Sequence, residues 1–329
     1  MNTSTVQRAE RDARRTVPIS GAPTERHRVA APRPLVPGMR RLLFTASVLV
    51  LLAGIQLFVF TGRTDHFFAF TIANPLSAAF LGAGYWAAVA IEALAGRQTV
   101  WANARIAIPA VLVFTLLTLT VTLTHLGQFH LGARFTIGTQ TVTAAWIAIY
   151  VAVPALMLIL LLRQVRTPGL DPPRAVGLPT WLHGVLAVQA AVLVGLGIAL
   201  FAAPGAAAPL WPWTLTPMMA QAIGAWLIGL GVAAGQMLAE RDARRVRPAA
   251  AGSLLLAVFL SIALARYPNQ FHWRSASGIT YLIILATMLL TGAVGLARGL
   301  PHPIRQPAAR PGSWRTTGKT GHSQRQSPA

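Results

Sequence analysis

The chain has 329 residues, of which 54% are apolar and only 11% charged, whereas roughly a quarter of the residues in an ordinary soluble domain are charged. That deficit points to lipid as the solvent of most of the chain. The absence of cysteine excludes disulfides, iron–sulfur clusters, thiolate zinc sites and cysteine nucleophiles. The net charge of +20 sits in two basic tails and in short loops that flank apolar stretches, so contact with anionic lipid explains it more simply than nucleic acid does, and no nucleic-acid partner is expected. Lys319 is the single lysine among 28 basic residues, which reads as the base composition of a GC-rich bacterial genome and sets the expected location as a bacterial plasma membrane.

Residues 1–40 are rich in Arg, Pro, Ala and Thr, have no apolar period, and are expected to form a disordered tail. No small-residue cleavage site follows the first apolar run, so that run is expected to stay as a span. Eight apolar segments follow, at 42–60, 75–95, 106–126, 139–162, 180–202, 215–238, 249–266 and 277–297. Each approximates the ~20 residues a helix needs to cross a ~30 Å hydrocarbon layer, and runs this long and continuous exclude the alternating strands of a barrel. The expected fold class is therefore an all-α membrane protein of eight transmembrane helices. Its organisation reads as a first four-helix unit over 41–163, a linker over 164–179, a second unit over 180–298 and a basic tail over 299–329. The seventh span is the shortest and closes on Arg266 and Tyr267.

Arginine placement sets the expected orientation. The loops after spans two, four and six hold nine Arg, and the loops after spans one, three, five and seven hold four. Both tails join the more basic side, which places both termini in the cytoplasm under the positive-inside rule. Aromatic residues are expected to form belts at headgroup depth, with Trp101 and Trp181 at the inner boundary and Phe67, Phe68, Phe70, Trp211, Trp213 and Trp273 at the outer one.

The two units also match in sequence. Gly54, Ile55, Leu57 and Phe58 fall on Gly197, Ile198, Leu200 and Phe201 at an offset of 143 residues. After one deleted loop residue the offset is 142: Pro75, Ala78, Gly82 and Ala83 fall on Pro217, Ala220, Gly224 and Ala225, and Gln128-Phe129-His130 falls on Gln270-Phe271-His272. Four spans per unit make the expected duplication a parallel one, with its pseudo-axis along the membrane normal. The aromatic, Thr and Pro residues that open spans two and six, notably Trp211-Pro212-Trp213-Thr214-Leu215-Thr216-Pro217, together with the repeated Gln-Phe-His, resemble an uncharacterised family of bacterial multi-span membrane proteins over most of residues 42–298. The resemblance implies the multi-span fold and no activity, and the first copy departs from it at Phe70 and Asn74.

Candidate chemistry is sparse. His125, Gln128 and His130 after span three, Gln270 and His272 after span seven, and Trp213 are the residues from which an outer-face polar site could be built. Two neutral imidazoles can ligate a metal or haem, but five residues of helix separate His125 and His130 by well over about 100° in azimuth, and interfacial histidines commonly bond loop carbonyls. No cofactor is expected. Glu92, near the inner end of span two, is expected to reach water or pair with Arg97, which disfavours coupling through a buried carboxylate. Thr115, Thr118, Thr120, Thr122 and Thr124 in span three, with Gln56, Gln189 and Gln236, are expected to serve helix packing rather than to line a polar pathway. The small pairs Gly82-Ala83 and Gly224-Ala225 are expected to let spans two and six approach, and the Glu240–Arg245 loop is expected to be solvated. No phosphate loop, nucleophile elbow, metalloprotease helix or nucleotide fingerprint is present, and nothing marks the chain as an enzyme. A small-molecule permease or exporter, a non-transporting scaffold or envelope-assembly protein, and a haem protein or enzyme using the outer histidines are the three functional expectations, in that order.

Overall fold

The computed structural model describes residues 31–299. The stretches 1–30 and 300–329, which hold most of the two expected tails, lie outside the described residues. Eight helices among the described residues are long and apolar enough to cross a membrane: α1 (Pro37–Val59), α2 (Pro75–Gly96), α3 (Ala107–Thr124), α4 (Ile137–Val165), α5 (Thr180–Ala202), α6 (Pro217–Glu240), α7 (Ala243–Arg266) and α8 (Ala276–Gly299). Local chemistry sets their starts. Asn74 caps α2 by accepting from Leu76 N at 2.9 Å, with Pro75 in the first turn, and Thr216 caps α6 ahead of Pro217. Side-chain acceptors at these positions satisfy the free N–H groups of a first turn, where proline needs none.

Two boundaries differ from expectation. The N-terminal tail does not run to residue 40: Pro32 and Pro34 bridge to Leu170 and Val100, Leu35 N donates to Thr99 O at 2.8 Å, and Leu35 and Met39 are buried. Leu35 and Met39 join an apolar cluster with Trp101 and Ile108, a burial that the surrounding Arg and Pro conceal in the sequence. The seventh span begins six residues early, because Asp242 accepts from Arg244 N at 2.9 Å and Arg245 N at 3.2 Å and so starts the helix ahead of its arginines.

The bundle has an inner and an outer layer. In α2, α6 and α7 the apolar window is 61, 56 and 56% buried, against 17% in α4. Helix α2 packs on α1 and α7, α6 packs on α5 and α3, α4 lies on α3, and α8 lies on α7. The Gly-Ala pairs do not join α2 to α6. A Cβ at Gly82 would lie 2.6 Å from Phe58 N of α1, and one at Gly224 would lie 2.9 Å from Phe201 N of α5, so each glycine seats the preceding span of its own unit. Helices α2 and α6 meet two residues further on, where Gly84 leaves room for Trp226.

The loops after α3 and α7 share two features. His130 N donates to Ala69 O at 3.0 Å and His272 N to Pro212 O at 2.9 Å. A 3-10 turn precedes each, at Leu126–Gln128 and Pro268–Gln270. These segments fold back over the bundle, and that corrects the aromatic belts: Phe68, Phe70, Trp101, Trp211 and Trp213 are buried, and only Phe67, Trp181 and Trp273 are exposed. Phe68, Phe70 and Trp146 close one end edge-to-face, as do Trp211, Trp213 and Tyr281 the neighbouring one.

Candidate functional site

The six outer-face residues do not form one site. His125 Nε2 donates to Gln221 Oε1 at 2.6 Å and its Nδ1 accepts from Gln128 Nε2 at 3.2 Å, while Gln221 Nε2 donates to Phe201 O at 3.0 Å. That chain ties α3 to the end of α5. His130 is buried with Nδ1–H on Phe68 O at 3.0 Å and Nε2 accepting from Thr71 at 2.9 Å. Burial lowers the His130 pKa, the bond to Phe68 opposing it, so the neutral ring fits these two partners. Both nitrogens of both rings are engaged, which leaves neither lone pair for a haem iron. Gln270 accepts from Asn74 at 3.4 Å, Trp213 is buried with Nε1 on Ser77 Oγ at 2.8 Å, and His272 is exposed. Among the described residues no three His, Asp or Glu side chains gather as metal ligands.

At the opposite, basic end the structure builds a cluster that the sequence reading treats as solvated loop. Glu240 is buried; it takes Arg105 through both oxygens, with Nη2 at 2.9 Å, and Arg245 at 3.0 Å. Arg105 also pairs with Asp171, and Arg174 Nε donates to Glu240 O at 2.7 Å. Burial opposes the charge on Asp242, yet the N–H groups of Val176, Ala175, Arg245 and Arg244 outweigh it and hold the carboxyl below the ordinary aspartate range. These contacts clamp the 164–179 linker against the α6–α7 turn and the α2–α3 loop. The reason is charge pairing: two guanidinium groups can enter the bundle end only because Glu240 meets them there.

Glu92 is the second correction. It is 2% exposed, its Oε2 has no hydrogen-bond partner, and none of the ion pairs among the described residues includes it. It borders a cavity of about 70 Å³ together with Thr115 and Tyr150. The cavity sets it among α1, α3, α4 and α6, whereas Arg97 is exposed beyond the helix end. Tyr150 OH bonds Tyr85 OH at 2.6 Å, and above that pair Trp146 Nε1 donates to Thr122 Oγ1 at 3.1 Å. Thr115, Thr120, Thr122 and Thr124 bond carbonyls one turn back, which is the packing use expected of them.

The last four spans enclose something different. A cavity of about 410 Å³ lies between α5, α6, α7 and α8, walled by Leu193, Leu227, Leu256, Leu260, Leu285 and Met288. Its few polar groups are Ser277, Thr280 and the Tyr281 ring, from the first turns of α8, and the Trp211 indole N–H, which has no hydrogen-bond partner. A second depression of about 390 Å³ on the α5–α8 face shares Thr280 and Ile284 with it and adds the buried Gln189. The two spaces therefore adjoin along α8, where it faces α5. Leucine patterning gives no sign of them, because a leucine lining a cavity and a leucine packed on a neighbour look alike in sequence.

The eight apolar helices among the described residues fit a multi-pass helical membrane protein. No protein-family model matches the chain, and neither a curated protein nor a solved structure matches it.

Proposed function

We propose that the protein is a permease for a small amphipathic molecule that enters sideways from the bilayer into the cleft between α5 and α8. The observation that carries this reading is the 410 Å³ cavity, a size typical of ligand pockets, walled by hydrocarbon and provided with hydroxyl groups at one end only. Such a lining suits a molecule with a hydrocarbon body and one hydroxyl or carbonyl end. Quenching of tryptophan fluorescence by a brominated long-chain alcohol, with the protein in nanodiscs, tests it. Saturable quenching, lost in Ile284→Trp and Ala276→Trp variants that fill the cleft, is expected. Quenching that rises linearly in all three proteins, as for simple partition into lipid, overturns the reading.

We further infer that the two four-span units are a parallel duplication, with both termini cytoplasmic in a bacterial plasma membrane. The paired loop bonds of His130 and His272 support the first point. The lengths of the corresponding helices differ most in the later spans of each unit, 18 against 24 residues for α3 and α7 and 29 against 24 for α4 and α8. Exposed Arg97, Arg163, Arg166 and Arg244 at the basic end support the orientation and contact with anionic lipid.

A further inference from the structure

We propose that the cavity beside Glu92 binds a small monovalent cation, a proton or a sodium ion, and that the first four spans thereby hold the coupling site of the permease. The coupling role rests on the permease reading; the binding does not. Ionisable side chains inside a helical bundle are rare and costly, and those retained there mark ion or proton pathways. Glu92 is such a group, with an unpartnered oxygen and 2% exposure.

The surroundings supply oxygen and no competing charge. The cavity of about 70 Å³ exceeds several-fold the roughly 10–15 Å³ that one water requires, so an ion and its remaining waters fit. Helix α1 presents Ala46 to it, α3 presents Val111 and Thr115, α4 presents Tyr150, and α6 presents Ala233. Tyr150 is the one other titratable group in this lining. Of the charged residues on the packed elements, Arg40 and Arg41 on α1, Arg105 before α3, Arg163 on α4, Glu240 on α6, and Arg244, Arg245 and Arg247 on α7 stand toward the basic end of the bundle, and Arg266 closes α7 at the opposite end, where it donates to Phe58 O at 2.6 Å. Arg40 donates to Gly96 O at 3.2 Å, and Arg105 and Arg245 are held by Glu240.

A route continues beyond the site. The Tyr85–Tyr150 hydroxyl pair separates the Glu92 cavity from a smaller one of about 20 Å³ bordered by Thr118 and Thr122. Phe70 and Phe129, paired edge-to-face, line that second space. The arrangement gives a buried carboxylate in the inner part of α2, a hydroxyl bridge that can pass a proton, and an aromatic closure at the far side. The last four spans cannot repeat it: at the offset of 142 residues, Glu92, Tyr85, Thr115, Thr118 and Thr122 become Ala234, Leu227, Ala257, Leu260 and Leu264.

Labelling of the full-length protein in sealed liposomes with dicyclohexylcarbodiimide, which attacks protonated carboxyls in apolar surroundings, reads the site without any substrate. The expected result is one adduct on the Glu92 peptide by mass spectrometry, absent from Glu92→Gln. For a proton site the labelling rate falls by about tenfold per pH unit on its alkaline limb and is indifferent to sodium; for a sodium site it also falls when sodium replaces potassium at fixed pH. Response to the solution at the basic end alone agrees with the closure at Phe70 and Phe129. No adduct on Glu92, or an adduct formed at one rate whatever the pH and salt on either side, overturns the proposal, and because the wild-type protein carries this arm, no variant need fold for it to fail. The cleft is untouched by this experiment, so its outcome and that of the quenching assay are independent.

Discussion

At matching depths the first four spans carry Tyr85, Thr118 and Thr122, and the last four carry Leu227, Leu260 and Leu264. The backbones that hold them make corresponding loop hydrogen bonds, yet one interior carries polar groups around small cavities of about 70 and 20 Å³ and the other is greasy and leaves about 410 Å³. The exchange of Gly84 and Trp226 shows why. Trp226 leans out of the last four spans and into the first, with its ring 4.1 Å from Phe114 and 5.1 Å from Tyr85, over the space that Gly84 leaves. Phe80 leans the other way, against Trp211 and Trp213, and Ala222 stands at the corresponding place. With Trp146 and Tyr150 added on α4, the first interior is closed by interlocking rings; the leucines of the second leave 410 Å³ between them. The two interiors therefore differ because a few ring-sized residues decide how much space each half leaves.

The severest break in this comparison should come at the joint between the halves. Glu240→Ala leaves the Arg105 and Arg245 guanidinium groups facing each other without their carboxylate, a loss of about 3–5 kcal/mol for a buried pair broken on one side. Thermal unfolding in detergent should show it, and a cost below that of an ordinary surface substitution would mean that the clamp does not hold the two units together. Trp226→Ala should cost about 3–5 kcal/mol as well, and it should open in the first four spans a cavity like that of the last four; xenon or a brominated alcohol taken up at this new site would make the two interiors alike. Tyr85→Phe leaves the buried Tyr150 hydroxyl without its partner, at about 1–3 kcal/mol, whereas Leu227→Phe in the other half removes no hydrogen bond and should be nearly silent in the same melt.

The smallest effect concerns pH. His130 has a folded pKa below its ordinary value, so as pH drops through about 6.5 the unfolded chain takes up a proton that the folded chain refuses. Stability should decline across that window down to the folded pKa, and His130→Asn should remove this part of the acid sensitivity.

Eight spans and an even topology follow from the sequence because lipid leaves a chain no other way to satisfy its backbone, and hydropathy alone reports that constraint. The repeat of Gly, Pro and Gln-Phe-His is likewise visible in sequence, since loop and cap residues have few substitutes. What the sequence did not decide is which side of each helix meets protein. Glu92 stands close enough to a helix end to suggest water, and only the rotation of α2 turns it into the bundle. Glu240 and Asp242 sit in an arginine-rich stretch typical of a solvated loop, and only the arrival of Arg105 and of the 164–179 linker buries them. The cleft depends on volumes: nothing in the order of the leucines on α5, α6, α7 and α8 states how far apart these helices stand, and that distance is set by every contact of the bundle at once.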